Sequence, residues 1–147
     1  MSLGIQPMRT PFSSLLSLLV AVVAAAVPVC AARAEVLKAI EIQREAGAVG
    51  SSLQATVEIR AGQAIGGLLN TLGEGLKFVM ITSEAQVVID PQLAADAVSV
   101  RVSALPHPKC GRCWHLRPEV GQDPAHPQLC SRCVSNLFGE GERRAIA

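Results

Sequence analysis

Cys110, Cys113, Cys130 and Cys133 are the residues of this chain best placed to do chemistry. They fall as C-x2-C, then sixteen residues, then C-x2-C. Two residues between thiols let one turn present both sulfurs to a single ion at about 2.3 Å, and roughly 15–20 residues between pairs is the spacing of four-cysteine zinc modules. The pattern predicts one structural Zn²⁺. Four sulfur ligands close the tetrahedron and leave no position for a reactive water. Two other chemistries use the same residues. One is a pair of disulfides, which needs an oxidising compartment. The other is redox exchange of the thioredoxin type. Two C-x2-C pairs at this distance favour the metal. Four thiolates around Zn²⁺ leave surplus negative charge. Arg112 and Arg132 sit inside the two knuckles and Lys109 precedes the first, positions from which they partly offset it. His107, His115 and His126 are surplus to the ligand set and are expected at the surface. Cys30 stands alone in an apolar run, where a cysteine is an ordinary small hydrophobe.

The need for metal also follows from size. Residues 106–147 offer few apolar anchors, chiefly Trp114, Leu116, Val120, Leu129, Val134, Leu137 and Phe138. A segment near 40 residues rarely folds without a metal or cross-link. The whole chain, at 147 residues, has room for one small domain plus this appendage. Half of it is apolar but only 3% is aromatic, so its core must rest on Leu, Val, Ile and Ala. The formal net charge is +1. It divides into +2 over residues 1–34, −3 over 35–105 and +2 over 106–147. A mildly basic tail beside an acidic middle permits nucleic-acid contact without demonstrating it.

The elements that must carry the knuckles are legible from periodicity. Residues 35–45 form a helix with Val36, Leu37, Ile40 and Ile42 as its apolar stripe, stopped by Gly47 and Gly50. Leu53, Ala55, Val57 and Ile59 alternate with Gln54, Thr56, Glu58 and Arg60, which predicts a half-buried strand. Residues 63–72 make a weaker helix containing Gly66 and Gly67. Residues 78–82, 85–89 and 98–104 are expected as strands. Together these give a small α+β layer, with two helices on one face of a mostly antiparallel sheet. A zinc-ribbon-like module built on the four cysteines follows, beyond the stiff Pro106 and Pro108. The run from Gly62 to Gly67 faintly suggests a phosphate loop. It lacks the Lys-Ser/Thr of a P-loop and the full G-x-G-x-x-G spacing, so close packing is the expected role of its glycines.

The start of the chain is of another kind. No charge occurs from Thr10 to Ala32, and Leu15 to Val29 is almost wholly Leu, Val and Ala. This predicts an apolar N-terminal helix. Ala32, Arg33 and Ala34 fit the small-x-small rule of a signal-peptidase site, and the stretch approaches the length of a membrane span. The alternatives are a leader or anchor, or a misassigned segment. The expected organisation is residues 1–32 as that segment, 33–105 as the α+β domain and 106–147 as the four-cysteine zinc finger.

The residues around the cysteines carry a resemblance. Cys110, Gly111, Arg112, Cys113 and Trp114, the run from Leu129 to Leu137, and Gly139-to-Arg144 together resemble the C-terminal end of bacterial isoleucyl-tRNA synthetases. Val120, Gly121, His126 and Pro127 fit the same pattern. So do Arg33 to Ala39 and Gly50 to Leu53 upstream, and the match spans residues 33–147. The finger type is shared with formamidopyrimidine-DNA glycosylases, but those need a proline after the initiator Met, where this chain has Ser2. The resemblance implies that 33–105 is the end of an anticodon-binding region. It implies a zinc-binding, tRNA-binding fragment whose partners are an isoleucine tRNA and the rest of a split synthetase, in the cytoplasm. Export, or membrane attachment through residues 10–32, is the alternative location. The physical means of holding that tRNA would be Lys109, Arg112, Arg117, Arg132, Arg143 and Arg144 on phosphates. Trp114 would stack on a base, or else fill the core beside the knuckles. Arg143 and Arg144 would otherwise be a solvated tail. The family's HIGH and KMSKS signatures do not occur in this sequence, so a ligase activity is expected only from a complete enzyme. A stand-alone zinc finger for nucleic acid or protein is the competing function.

Overall fold

A computed structural model describes residues 11–142. Arg143 and Arg144 therefore lie outside the described residues. The first element, α1 (Pro11–Glu45), is one continuous helix with Pro28 inside it. Val29, Ala32, Val36 and Ile40 recur every three or four residues and all meet the core. Leu37 and Ile42, expected on the same stripe, instead point outward and are 40% and 62% exposed. Glu35 pairs with Lys38 and Glu41 with Arg44, each at 2.7 Å. These are exposed i,i+3 pairs that contribute about 0.3 kcal/mol each. The small-x-small site lies within this helix. Ala32 is buried, and Arg33 Nε donates to the Val79 carbonyl at 3.0 Å. Among the described residues, no helix is long and apolar enough to cross a membrane.

Three strands follow: β1 (Ala55–Ala61), β2 (Glu84–Ile89) and β3 (Val98–Ala104). They lie in the order β2-β1-β3, with β1 at the centre. On β1, Ala55, Val57, Ile59 and Ala61 are buried, and the alternate residues face outward. Val98, Val100 and Val102 of β3 pack on the same core, while Ser99, Arg101 and Ser103 are exposed, as the alternation predicts. The class is α+β, but the sheet is mixed. β3 runs antiparallel to β1, and β2 runs parallel to it, with Val57 opposite Ala85 and Ile59 opposite Val87. A parallel neighbour requires a crossover, and residues 62–83 supply one.

That crossover corrects one expected strand. Residues 78–82 are not extended. Helix α2 (Gln63–Asn70) is followed by α3 (Leu76–Met80). Leu76 and Met80, four apart, bury one face of α3 into the core. The Ile81 N–H donates to the Phe78 carbonyl and the Thr82 N–H to the Lys77 carbonyl at 2.9 Å, which closes the helix in a Schellman motif. Ile81 occupies the left-handed position at φ 57, where glycine is usual. With no glycine at the stop, a short apolar run looks like a strand.

The glycines of the crossover are there for packing. A Cβ on Gly62 would lie 1.9 Å from the Ala94 carbonyl oxygen, and one on Gly66 would lie 3.0 Å from Ile89 Cγ1. The first amides of α2 are already satisfied: the Ala64 and Ile65 N–H groups both donate to the Ala95 carbonyl. That protein carbonyl occupies the place a phosphate would take at a helix N-terminus. Gly62→Ala should therefore lower unfolding stability by about 1–3 kcal/mol through overpacking. Gly67→Ala, with nothing within 4 Å of the added methyl, should be neutral or stabilising by up to about 1 kcal/mol. Urea denaturation of the two variants checks the contrast.

Candidate metal centre

Two short turns bring the cysteines together. In the first, Lys109 and Leu116 form an antiparallel bridge, and the Cys110 N–H donates to the His115 carbonyl at 2.9 Å. The Trp114 N–H returns to the Cys110 carbonyl at 3.0 Å. This reversal holds Trp114 in the left-handed region at φ 66. In the second, Cys130 precedes α4 (Ser131–Phe138) in extended conformation, and Cys133 lies in the first turn of that helix. The Gly111 N–H donates to the Gln128 carbonyl and the Cys130 N–H to Cys110 Sγ at 3.4 Å, so the knuckles are knitted together.

The four sulfurs lie within 4.8 Å of one another and could hold one metal ion. Cys113 Sγ and Cys130 Sγ are 3.7 Å apart. A tetrahedron of 2.3 Å zinc–sulfur bonds has edges of about 3.8 Å, so the donor set fits Zn²⁺. Cys110, Cys130 and Cys133 are fully buried, and only Cys113 is partly exposed. Burial pushes the Cys130 thiol up to about 12, reinforced by the neighbouring cysteine sulfurs, and also raises Cys113. Burial acts on Cys110 in the same direction, yet donors from the Cys113, Cys130 and Arg112 backbone outweigh it and bring that thiol down to about 6. Four thiolates in one buried cluster require a cation among them. Among the described residues, only Val120 and Leu129 pack on this cluster apart from the sulfurs. Structural zinc contributes about 10–16 kcal/mol in small fingers, far more than two aliphatic side chains can supply.

The cations expected around the site divide into two groups. Lys109 and Arg112 are exposed. Arg112 Nη1 approaches Cys133 Sγ at 4.0 Å, and the Lys109 ammonium lies 4.6 Å from the centre of the Trp114 ring. Trp114 itself is 59% exposed, so it does not fill the core. Arg132 is half-buried and turned inward. It donates twice to Glu142, at 2.5 and 2.9 Å, and its guanidinium stands 5.0 Å from the Phe78 ring centre. Arg117 Nη1 lies 3.6 Å from Glu119, and Arg117 Nε is buried without a hydrogen-bond partner among the described residues. A groove of about 490 Å³ runs between the outer face of the sheet and the finger, past Thr56, Lys77, Gln86 and Arg117. Its cations are matched by carboxylates, Lys77 by Glu74 at 2.6 Å and Arg117 by Glu119.

Residues outside the motif hold the finger to the sheet. The Ser83 hydroxyl donates to the Leu53 carbonyl at 2.5 Å and accepts from the Leu116 N–H at 2.8 Å. Ser83 and Leu116 are both buried. His115, expected at the surface, is instead buried edge-on against Phe78 with ring centres 5.8 Å apart. Burial, with Arg117, Arg132 and Lys77 nearby, lowers its pKa and favours the neutral ring. Neither Ser83 nor Phe78 has a sequence signal. Ser83 sits in what looks like a plain turn, and its partners are 30 and 33 residues away.

Two outcomes follow from this geometry. Ser83→Ala should destabilise the finger's attachment by about 1–3 kcal/mol, because it orphans a half-buried carbonyl and a buried N–H. Faster amide exchange at Leu116 with unchanged zinc content would show it. Removing metal with a chelator should unfold the finger while the sheet layer persists. Trp114 is the only tryptophan in the chain, so its fluorescence should report the finger while circular dichroism retains most of the helix signal.

Comparison with known proteins agrees with the site. Residues 108–136 match the family described as the zinc finger found in FPG and IleRS. The isoleucine–tRNA ligase of Bordetella pertussis (strain Tohama I) is 52% identical over 117 residues, 80% of this chain. Those of Dechloromonas aromatica and Paraburkholderia phytofirmans are 53% identical over 116 residues (79%) and 54% over 117 residues (80%). In each case the chain spans 12% of the relative's length. Over four fifths of its length the chain is similar to the C-terminal part of isoleucine–tRNA ligases, and the segment that holds its four clustered cysteines matches the zinc finger found in FPG and IleRS.

Proposed function

We propose that this chain is a zinc-stabilised tRNA-binding piece of an isoleucine–tRNA ligase. The observation that carries the reading is Trp114, a large ring displayed to solvent beside Lys109 and Arg112. A stacking plane next to two exposed cations suits an unpaired base and its phosphate. Lys109, Arg112 and Trp114 form the contact set. Arg132 and Arg117 are committed within the chain, so their part is to shape the finger rather than to meet phosphate. Arg143 and Arg144 are proposed to meet phosphate on the strength of their charge alone. Residues 33–105 serve as the base that carries the finger, and residues 106–147 as the contact module. Ligase chemistry belongs to the part of the relatives that this chain does not match. The cytoplasm is the proposed location, where a site of four thiolates stays reduced.

A titration of the zinc-loaded chain with isoleucine tRNA at several salt concentrations tests this. Affinity should fall as salt rises. Trp114→Ala should weaken binding by about 1–3 kcal/mol, and Lys109→Ala should lower the salt slope by about one. Salt-independent binding, or equal competition by duplex DNA, would sink the tRNA reading.

A further inference from the structure

We infer that the cluster is an oxidation site, with Cys113 the sulfur attacked first by peroxide and Cys130 its disulfide partner. Two observations converge. Cys113 is the one partly exposed cysteine of the four, and the other three are fully buried. Its Sγ lies 3.7 Å from that of Cys130, a residue of the opposite knuckle. Closing that gap to a disulfide of about 2 Å needs a shift of less than 2 Å. Exposure selects the sulfur that meets the oxidant, and the close approach across the knuckles supplies a sulfur that can resolve it.

The chemistry balances with hydrogen peroxide as the oxidant. The Cys113 thiolate attacks one peroxide oxygen. An S–O bond forms, the O–O bond breaks and hydroxide leaves, giving a sulfenic acid. The Cys130 thiolate then attacks that sulfur. An S–S bond forms, the S–O bond breaks and a second hydroxide leaves. The two sulfurs together lose two electrons, which the peroxide takes up. Both hydroxides are protonated to water by the buffer. Half of the ligand set is consumed, so Zn²⁺ is no longer held. The new bond spans the two knuckles and keeps them joined.

Tryptic mapping separates this pairing from its rivals. Cleavage after Lys109, Arg112 and Arg132, with Arg117 protected by Pro118, leaves Cys113 and Cys130 in one peptide, residues 113–132. Cys110 falls in peptide 110–112 and Cys133 in the one that follows residue 132. The zinc-loaded full chain should be treated with hydrogen peroxide, using a Cys30→Ala background because Cys30 is exposed and free. The expected result is loss of one zinc per chain, read with a chromogenic chelator. Peptide 113–132 should appear lighter by two hydrogens and resist alkylation. A sulfenic-acid trap at limiting peroxide should label Cys113. Joining of 110–112 or of the Cys133 peptide to 113–132, or first labelling at a buried cysteine, overturns the inference. So does retention of zinc under peroxide that suffices to form the disulfide.

Discussion

Sulfur atoms packed within 4.8 Å of one another cannot all carry charge unless a cation lies among them. The last third of this chain is organised around that constraint. Among the described residues its buried centre is made of cysteines, with two aliphatic residues against them and no separate apolar core to fall back on. Peptide N–H groups of Arg112, Cys113, Cys130 and Cys133 are turned toward the sulfurs, and the basic side chains stand outside this inner layer. Trp114 owes its exposure to the same turn, since the left-handed backbone that closes the first knuckle directs the ring away from the cluster.

The finger is tied to the sheet by few contacts, and their magnitudes rank them. The Ser83 hydroxyl satisfies two backbone groups at once, one of them buried, and is worth about 1–3 kcal/mol on removal. The Phe78–His115 edge contact adds about 0.5–1.5 kcal/mol, and Arg132 over the same ring adds roughly 0.5–1. Each is small beside the metal. The zinc site decides whether the finger exists, and the junction decides where its exposed face points.

The parts legible in the sequence are those governed by local rules. The cysteine spacing and the alternation of β1 and β3 follow from short-range chemistry. The local pattern misleads where tertiary contact overrides it. Residues 78–82 form the end of a helix because Leu76 and Met80 share a buried face and Ile81 accepts a conformation glycine normally takes. Parallel pairing of β2 is a matter of topology, which alternation cannot express. Leu37 and Ile42 are apolar yet exposed, and hydropathy alone places them inside. The four-cysteine ligand set needed only spacing. The surface beside it needed coordinates, because a tryptophan near a knuckle packs inward as naturally as outward and arginines show no sign in sequence of being paired.

The Ser83 bridge bears on the order of folding. A ribosome releases a chain from its N-terminus. The carbonyl of Leu53 and the hydroxyl of Ser83 are placed by β1 and β2, both of which precede the first knuckle. The receptor for Leu116 is built from residues that all precede Cys110, so it can form without the metal. Ion capture by the four clustered cysteines then becomes a later step, made on a seat already built, and the long loop from Leu53 to Ser83 has been closed before the metal arrives.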